Sequence, residues 1–246
     1  MGITFNKTPV LFGTFHICAL LLCVLFSYLV YQFCKDKDEV YLIRVIHKCG
    51  IFMLVMEVVK QIFCYYYVFD QKINLWFFPW QLCSMCMYCS FLLPFVNRRI
   101  QNSLLVFLAT YSLLAAIIAL AVPADMLRPQ IYLTCYSFLY HFLMIAVSIA
   151  SIRIIRNRKD LIFSDSIILF LLMAFIAELI NIICHQIFHD IHIEPDMFYI
   201  TPYYPTTQPI FNAIALRFGI FTEVIIYLGI IIAASYLIYR LLCKKI

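Results

Sequence analysis

NSLLVFLATYSLLAAIIALAV, Asn102 to Val122, runs 21 residues without a Lys, Arg, Asp, Glu or His. At about 1.5 Å per residue, such a helix covers the roughly 30 Å hydrocarbon core of a bilayer. Comparable stretches lie at 9–34, 41–68, 76–95, 130–152, 164–188 and 211–241. The chain has 246 residues, 65% of them hydrophobic and only 13% charged, which is more apolar surface than a soluble domain of that size can hide. The reading is an all-α, polytopic membrane protein with seven transmembrane helices, forming a single domain over 1–246. The first stretch is too long for a secretory signal and has no small-x-small cleavage site, so it is expected to remain as a helix.

Basic residues set the expected orientation. Thirteen of the eighteen Lys and Arg fall around 35–48, 97–100, 153–159 and the tail 240–246, against Lys7, Lys72 and Arg128 on the other side. The positive-inside rule then puts the amino terminus outside and the carboxy terminus inside a multi-pass cell-membrane protein. The net charge of +5 is mostly topological. It needs only anionic lipid as its counterpart, with no nucleic acid and no soluble partner.

The third stretch opens with WFFPWQLCSMCMYCS, Trp76 to Ser90, which carries Cys83, Cys86 and Cys89. A C-x-x-C-x-x-C run invites an iron–sulfur or zinc reading. On a helix, however, a three-residue step turns about 300°, so each thiol drifts about 60° from the last. A fourth ligand is also lacking. No metal and no cofactor is expected. Cys86 and Cys89 read as packing residues. Cys83 follows Pro79, Trp80 and Gln81 near the outer start of the span, about two turns in, close to polar groups yet out of bulk water. The eleven cysteines do not form a disulfide framework.

Ionisable residues inside spans are costly and mark function by default. Here they are Glu57 and Lys60 in the second span, Glu178 in the sixth, and Arg217 and Glu223 in the seventh, joined by His141 in the fifth and His185 in the sixth. Threaded through the expected topology, all avoid the inner half of the membrane. The expectation is one polar cavity opening outward. Glu178, Asn181 and His185 lie at i, i+3 and i+7 on one face, and Glu57 and Lys60 are neighbours at i, i+3. Structural ion pairs, Glu57–Lys60 and Glu178–Arg217, are the plain alternative. His189, Asp190, His192 and Glu194 have ligand chemistry for a divalent ion, but beside Pro195 they read better as a solvated loop. Pro195, Pro202, Pro205 and Pro209 stiffen the stretch 190–210, expected to cover the outer mouth of the cavity.

Seven helices, FPWQLCSM opening the third, a histidine midway in the fifth and TPYYPTTQPIF before the seventh resemble the YwaF-type integral membrane proteins. That family is similar to a vertebrate acyltransferase of ether-phospholipid remodelling, and more distantly to androgen-regulated membrane hydrolases of fatty-acid esters. The resemblance covers nearly the whole chain. It implies a catalytic pair of a third-helix cysteine and a fifth-helix histidine, onto which Cys83 and His141 map, 58 residues apart. The family often has a histidine two residues before that cysteine; this chain has Gln81.

The chemistry this implies is acyl transfer on membrane lipids. Cys83 would attack a phospholipid ester, His141 would shuttle the proton, and a lysophospholipid would take the acyl chain from a thioester. Asn181 or Gln81 would donate to the oxyanion, Arg217 or Lys60 would hold the phosphate, and Glu178 or Glu57 would orient His141 or balance the cations. Lipid-ester hydrolysis is the close variant. The rival classes are a transporter or channel with an intramembrane charged site, and a seven-helix lipid-sensing receptor or scaffold. Against transport, no inverted repeat is visible and no span is broken by a central Pro or Gly pair.

Overall fold

A computed structural model of the chain describes residues 3–188 and 195–243. Among them the fold is all helical, apart from an isolated antiparallel bridge between Thr4 and Gln130. Eight α-helices follow in order: α1 Thr14–Lys35, α2 Glu39–Tyr67, α3 Met85–Leu92, α4 Arg98–Ala121, α5 Ile131–Ile155, α6 Phe163–Ile187, α7 Pro209–Phe218 and α8 Ile220–Ile238. Five segments are long and apolar enough to cross a membrane: α1, α4, α5, α6, and α8 with its continuation to Leu242.

The stretch from Asn102 to Val122 becomes the axis of the bundle. Of the apolar span in α4, 72% is buried, against 17% in α1 and 22% in α6 and α8. Ser103 and Thr110 return their hydroxyls to carbonyls of the same helix, while those of Tyr111 and Ser112 are buried without a hydrogen-bond partner. Thr110 donates to Val106 O at 2.7 Å, and Ser148 of α5 donates to Leu108 O at 2.7 Å, tying α5 to α4. The outer helices instead leave Leu21, Leu25, Leu171, Phe175, Phe221 and Ile230 exposed, a surface suited to lipid rather than water.

Two of the expected spans take another form. The third is not one helix. Phe78 precedes Pro79 and is held extended, so the chain makes two 3-10 turns, Leu75–Phe77 and Leu82–Ser84, before α3 begins, and Leu93–Phe95, containing Pro94, ends it in a third. Cys83 therefore lies in a tight turn ahead of α3, not two turns down a helix. The seventh is broken, contrary to expectation. Gly219, at φ 86° and ψ 155°, separates α7 from α8, a conformation that only glycine adopts readily.

Close approach explains how the short α3 is held. A Cβ at Gly50 of α2 would come within 2.6 Å of Phe91 N and 2.8 Å of Ser90 Cβ. Glycine lets the two backbones touch, and His47 Nδ1 then donates to Phe91 O at 2.8 Å.

The basic residues gather where charge counting expects. Arg158, buried, donates to Glu39 at 2.7 Å, to Gln101 at 2.5 Å and to Asn102, while Arg98 bridges Glu39 and Asp160 at 2.8 and 3.3 Å. This network joins the starts of α2 and α4 to the α5–α6 connection. Hydrogen bonds from Asn102, with Arg98 beside it, hold the Asp160 carboxyl down to about 2. The opposite end is tied by Phe5 N to Pro129 O at 2.9 Å and by Tyr199 OH to Asp125 at 3.4 Å.

Candidate functional site

Residues 195–208 fold back into the bundle over Cys83. Two amide side chains from different elements hold them there. Gln81 Nε2 donates to Asp196 O at 2.8 Å, and Gln81 Oε1 accepts from Phe198 N at 2.9 Å. Asn181 Nδ2 donates to Met197 O at 3.1 Å, and its Oδ1 accepts from Met197 N at 2.7 Å. Phe198 and Tyr199 have φ of 60° and 58°, the left-handed region that side chains avoid, and these four bonds stabilise them there. Both amides are thus engaged by the backbone of the cover, each with one of its two N–H donors and its carbonyl oxygen.

Cys83 is half-buried beneath this cover. Its thiol lies within electrostatic reach of the Tyr140, Tyr199 and Tyr227 hydroxyls and of Cys86. The Tyr140 hydroxyl is buried and has no hydrogen-bond partner. His141 is one residue further along α5 and 8% exposed. Its Nδ1 donates to Ser137 O at 2.7 Å, which leaves Nε2 as the acceptor nitrogen, buried and unpartnered. No hydrogen bond joins Cys83 to His141.

The other charges form two groups rather than one cavity. On one side Glu57 is a hub: Lys60 Nζ at 2.6 Å, Gln61 Nε2 at 2.7 Å and Tyr136 OH at 2.6 Å all converge on it. Lys60 also lies over the rings of Phe77 and Tyr136, at 5.7 and 5.5 Å. It is caged, so the Glu57–Lys60 pair is structural and the expected phosphate role for Lys60 loses its free cation. On the other side are three carboxyls, Glu178, Asp196 and Glu223. Each keeps one buried oxygen without a partner: Glu178 Oε2, Asp196 Oδ2 and Glu223 Oε1. Asp196 Oδ1 accepts from Thr201 N at 3.1 Å. Burial, with Glu178 nearby, pushes the Asp196 carboxyl up to about 6. Tyr140 lies in the electrostatic field of Cys83 and Glu57, and Tyr227 in that of Cys83, Asp196 and Glu223.

Arg217 does not join either group. It is exposed in the last turn of α7 with its guanidinium 5.4 Å from the Phe218 ring, and no Glu178–Arg217 ion pair forms. His185 stacks on Tyr203 at 3.6 Å between ring centres, on the cover rather than in the interior. His189, Asp190, His192 and Glu194 lie outside the described residues. Among those described, no three His, Cys, Asp or Glu side chains converge to hold a metal ion.

A groove of about 410 Å³ opens between α6 and α8. Its walls are largely apolar, Glu178 is the one ionisable residue among the described residues that line it, and Ile200 and Pro202 of the cover line it too.

Sequence reasoning missed Tyr136, Tyr140 and Asp196. Tyr132, Tyr136 and Tyr140 repeat every four residues along α5, a readable stripe of hydroxyls on one face. Asp196, set among prolines, carried no comparable signal, because its burial depends on the amides of Gln81 and Asn181.

Compared with protein-family models, curated proteins and solved structures, the chain matches none.

Proposed function

We propose that the chain is a seven-pass membrane protein, amino terminus outside and carboxy terminus inside, that moves acyl groups between membrane lipids through Cys83. The observation that carries this reading is the state of His141. With Nδ1 committed to the Ser137 carbonyl, Nε2 keeps a lone pair in a buried site that no other group uses. Such an imidazole is suited to accept a thiol proton. Catalytic hydrogen bonds often tighten only once substrate is bound, and the reading requires lipid binding to bring Cys83 within reach of His141.

In this scheme the thiol proton passes to His141 Nε2 and Sγ bonds to the phospholipid ester carbonyl carbon. The C–O bond then breaks, and His141 returns the proton to the departing lysolipid oxygen. The acyl group stays on Cys83 as a thioester until the hydroxyl of a second lysophospholipid takes it by the reverse steps; attack by water gives hydrolysis instead. The unpartnered Tyr140 hydroxyl joins Gln81 and Asn181 as a candidate oxyanion donor. Arg217, exposed on α7, is the cation left to meet a lipid phosphate. The resemblance to the YwaF-type family supports the same pair. The five long apolar helices support the multi-pass reading, and on it α2 and the Trp76–Phe95 stretch would make the other two crossings.

The test is a hydroxylamine-labile fatty acyl mass on Cys83 in protein purified with native lipids. Cys83→Ala should remove it, and His141→Ala should reduce it severely. Tyr140→Phe should slow its formation by about 10²-fold. Absence of the adduct from wild type under lipid excess overturns the reading.

Two observations favour a second reading, transport. The seventh segment is broken at Gly219, as in helices that carry substrate sites, and three carboxyls near it keep unpartnered oxygens. Solute flux in vesicles that survives Cys83→Ala would select it.

A further inference from the structure

The groove between α6 and α8 has a chemistry of its own, independent of the thiol. Leu171, Phe175 and Phe221 are exposed at its mouth, and Ala174, small and buried, forms part of the floor. Leu171, Ala174, Phe175 and Glu178 are spaced i, i+3, i+4 and i+7, so one face of α6 is an apolar track that ends in a carboxyl. The opening faces the surface suited to lipid, and its volume is in the range of small-molecule sites.

Among the described residues, no cation is paired with the carboxyls at the polar end of that track. Glu178 Oε2 is buried without a partner, and behind it Asp196 and Glu223, 0% and 1% exposed, each have an unpartnered oxygen as well. Asp196 lies in the electrostatic field of Glu178, and Glu223 in that of Asp196. Among the described residues none of the three forms a salt bridge with Lys, Arg or His; Lys60 is committed to Glu57, and Arg217 is exposed on α7. A buried carboxylate with no cation is expensive, and a group with several N–H donors and a positive charge relieves it.

We infer that this groove binds a bilayer amphiphile with a protonated amine head, its chain along the α6–α8 walls and its ammonium on Glu178. Lipids headed by a carboxylate or a phosphate alone meet like charge there, and a neutral alcohol gains one hydrogen bond where an ammonium gains charge-assisted ones. Lysine-like alkylamines are protonated at neutral pH, so the bilayer supplies a cation that none of the described residues provides.

The full chain in phosphatidylcholine nanodiscs, exposed to photoactivatable hexadecylamine, hexadecanol and hexadecanoic acid, tests this. Labelled peptides are identified by mass spectrometry. The amine should label the Phe175 and Phe221 peptides about tenfold more than the alcohol, as one charge-assisted hydrogen bond implies. Glu178→Gln should erase that preference and Glu178→Asp should keep it. Val224→Phe, which narrows the groove without touching a carboxyl, should lower labelling by the amine. Equal labelling by the three probes, or a preference that survives Glu178→Gln, overturns the inference.

Discussion

Gln81 and Asn181, a hundred residues apart in sequence, grip adjacent peptide groups of the same three-residue segment. One amide spans Asp196 O and Phe198 N, and the other pairs with both polar atoms of Met197. The cover is thus joined to the turn before α3 and to α6 by four hydrogen bonds of the kind that strands exchange. The backbone turns left-handed at Phe198 and Tyr199, where the gripped segment ends, so it does not hold its shape unaided.

Removing either amide should free the cover. Gln81→Ala or Asn181→Ala leaves two backbone groups without partners, at about 1–3 kcal/mol for each that remains buried. Hydrogen exchange of residues 196–201 in detergent or nanodiscs should accelerate in both variants, with α4 and α5 unchanged. Because both act on one segment, the double variant should cost less than the two single losses added together.

Asp196 should make the cover sensitive to pH, in an unusual direction. Its folded carboxyl is raised from 3.8 to about 6 by burial, so the folded state keeps a proton that the unfolded chain has already lost. Stability contributed at this site is therefore full below about pH 4, falls as pH rises to about 6, and is level above that. The difference is on the order of 3 kcal/mol. Asp196→Asn should reduce this slope by the share of its own carboxyl and protect the cover at pH 7.5, because an amide oxygen can still accept from Thr201 N. A melting profile across pH 4–8 that has the same slope in both proteins rules out this account.

How much of this was legible in the sequence follows from the range of the forces involved. Lipid solvation acts on every residue of a run, so Asn102 to Val122 announced a helix of bilayer length without knowledge of its neighbours, but not its burial at the centre of the bundle. The bias of Arg98, Arg158 and the other basic residues is likewise a one-dimensional signal. Glu57 and Lys60 could be paired from helical spacing alone, and they do pair. Rotation about each helix axis was not legible, since it depends on partners far away in sequence. Arg217 and Glu223 differ by about 120° in phase, so both could not be assumed to point inward; Glu223 is buried and Arg217 exposed. Gln81 and Asn181 had the right chemistry for a catalytic donor, but the cover that occupies them lies 115 and 16 residues away.

Gly50 and Gly229 offer a matched comparison on two helices. At Gly50 an added methyl meets α3 backbone at 2.6 Å, while at Gly229 nothing lies within 4 Å. Gly50→Ala must push α2 from α3, breaking the His47–Phe91 contact, at about 1–3 kcal/mol. Gly229→Ala should be neutral or stabilising by up to about 1 kcal/mol, through helix propensity alone. Thermal unfolding of the two variants in one detergent should shift in opposite directions, or only the first should shift.

Gly219 should respond differently from both, although it too has open space. No atom stands within 4 Å of its absent Cβ, so sterics with neighbours do not forbid alanine. The obstacle is the backbone itself: φ of 86° with ψ of 155° costs an L-residue about 1–3 kcal/mol. Alanine there has two outcomes, to accept that strain or to turn α7 into line with α8. A continuous helix would carry Pro209 to Phe218 away from the cover, where Asn212 Nδ2 now donates to Thr206 O at 2.8 Å. Gly219→Ala should therefore lower stability and also raise hydrogen exchange at 206–212, whereas Gly229→Ala should do neither. If the break at Gly219 were incidental to the packing of the cover, the melting point would fall while exchange at 206–212 stayed at the wild-type rate.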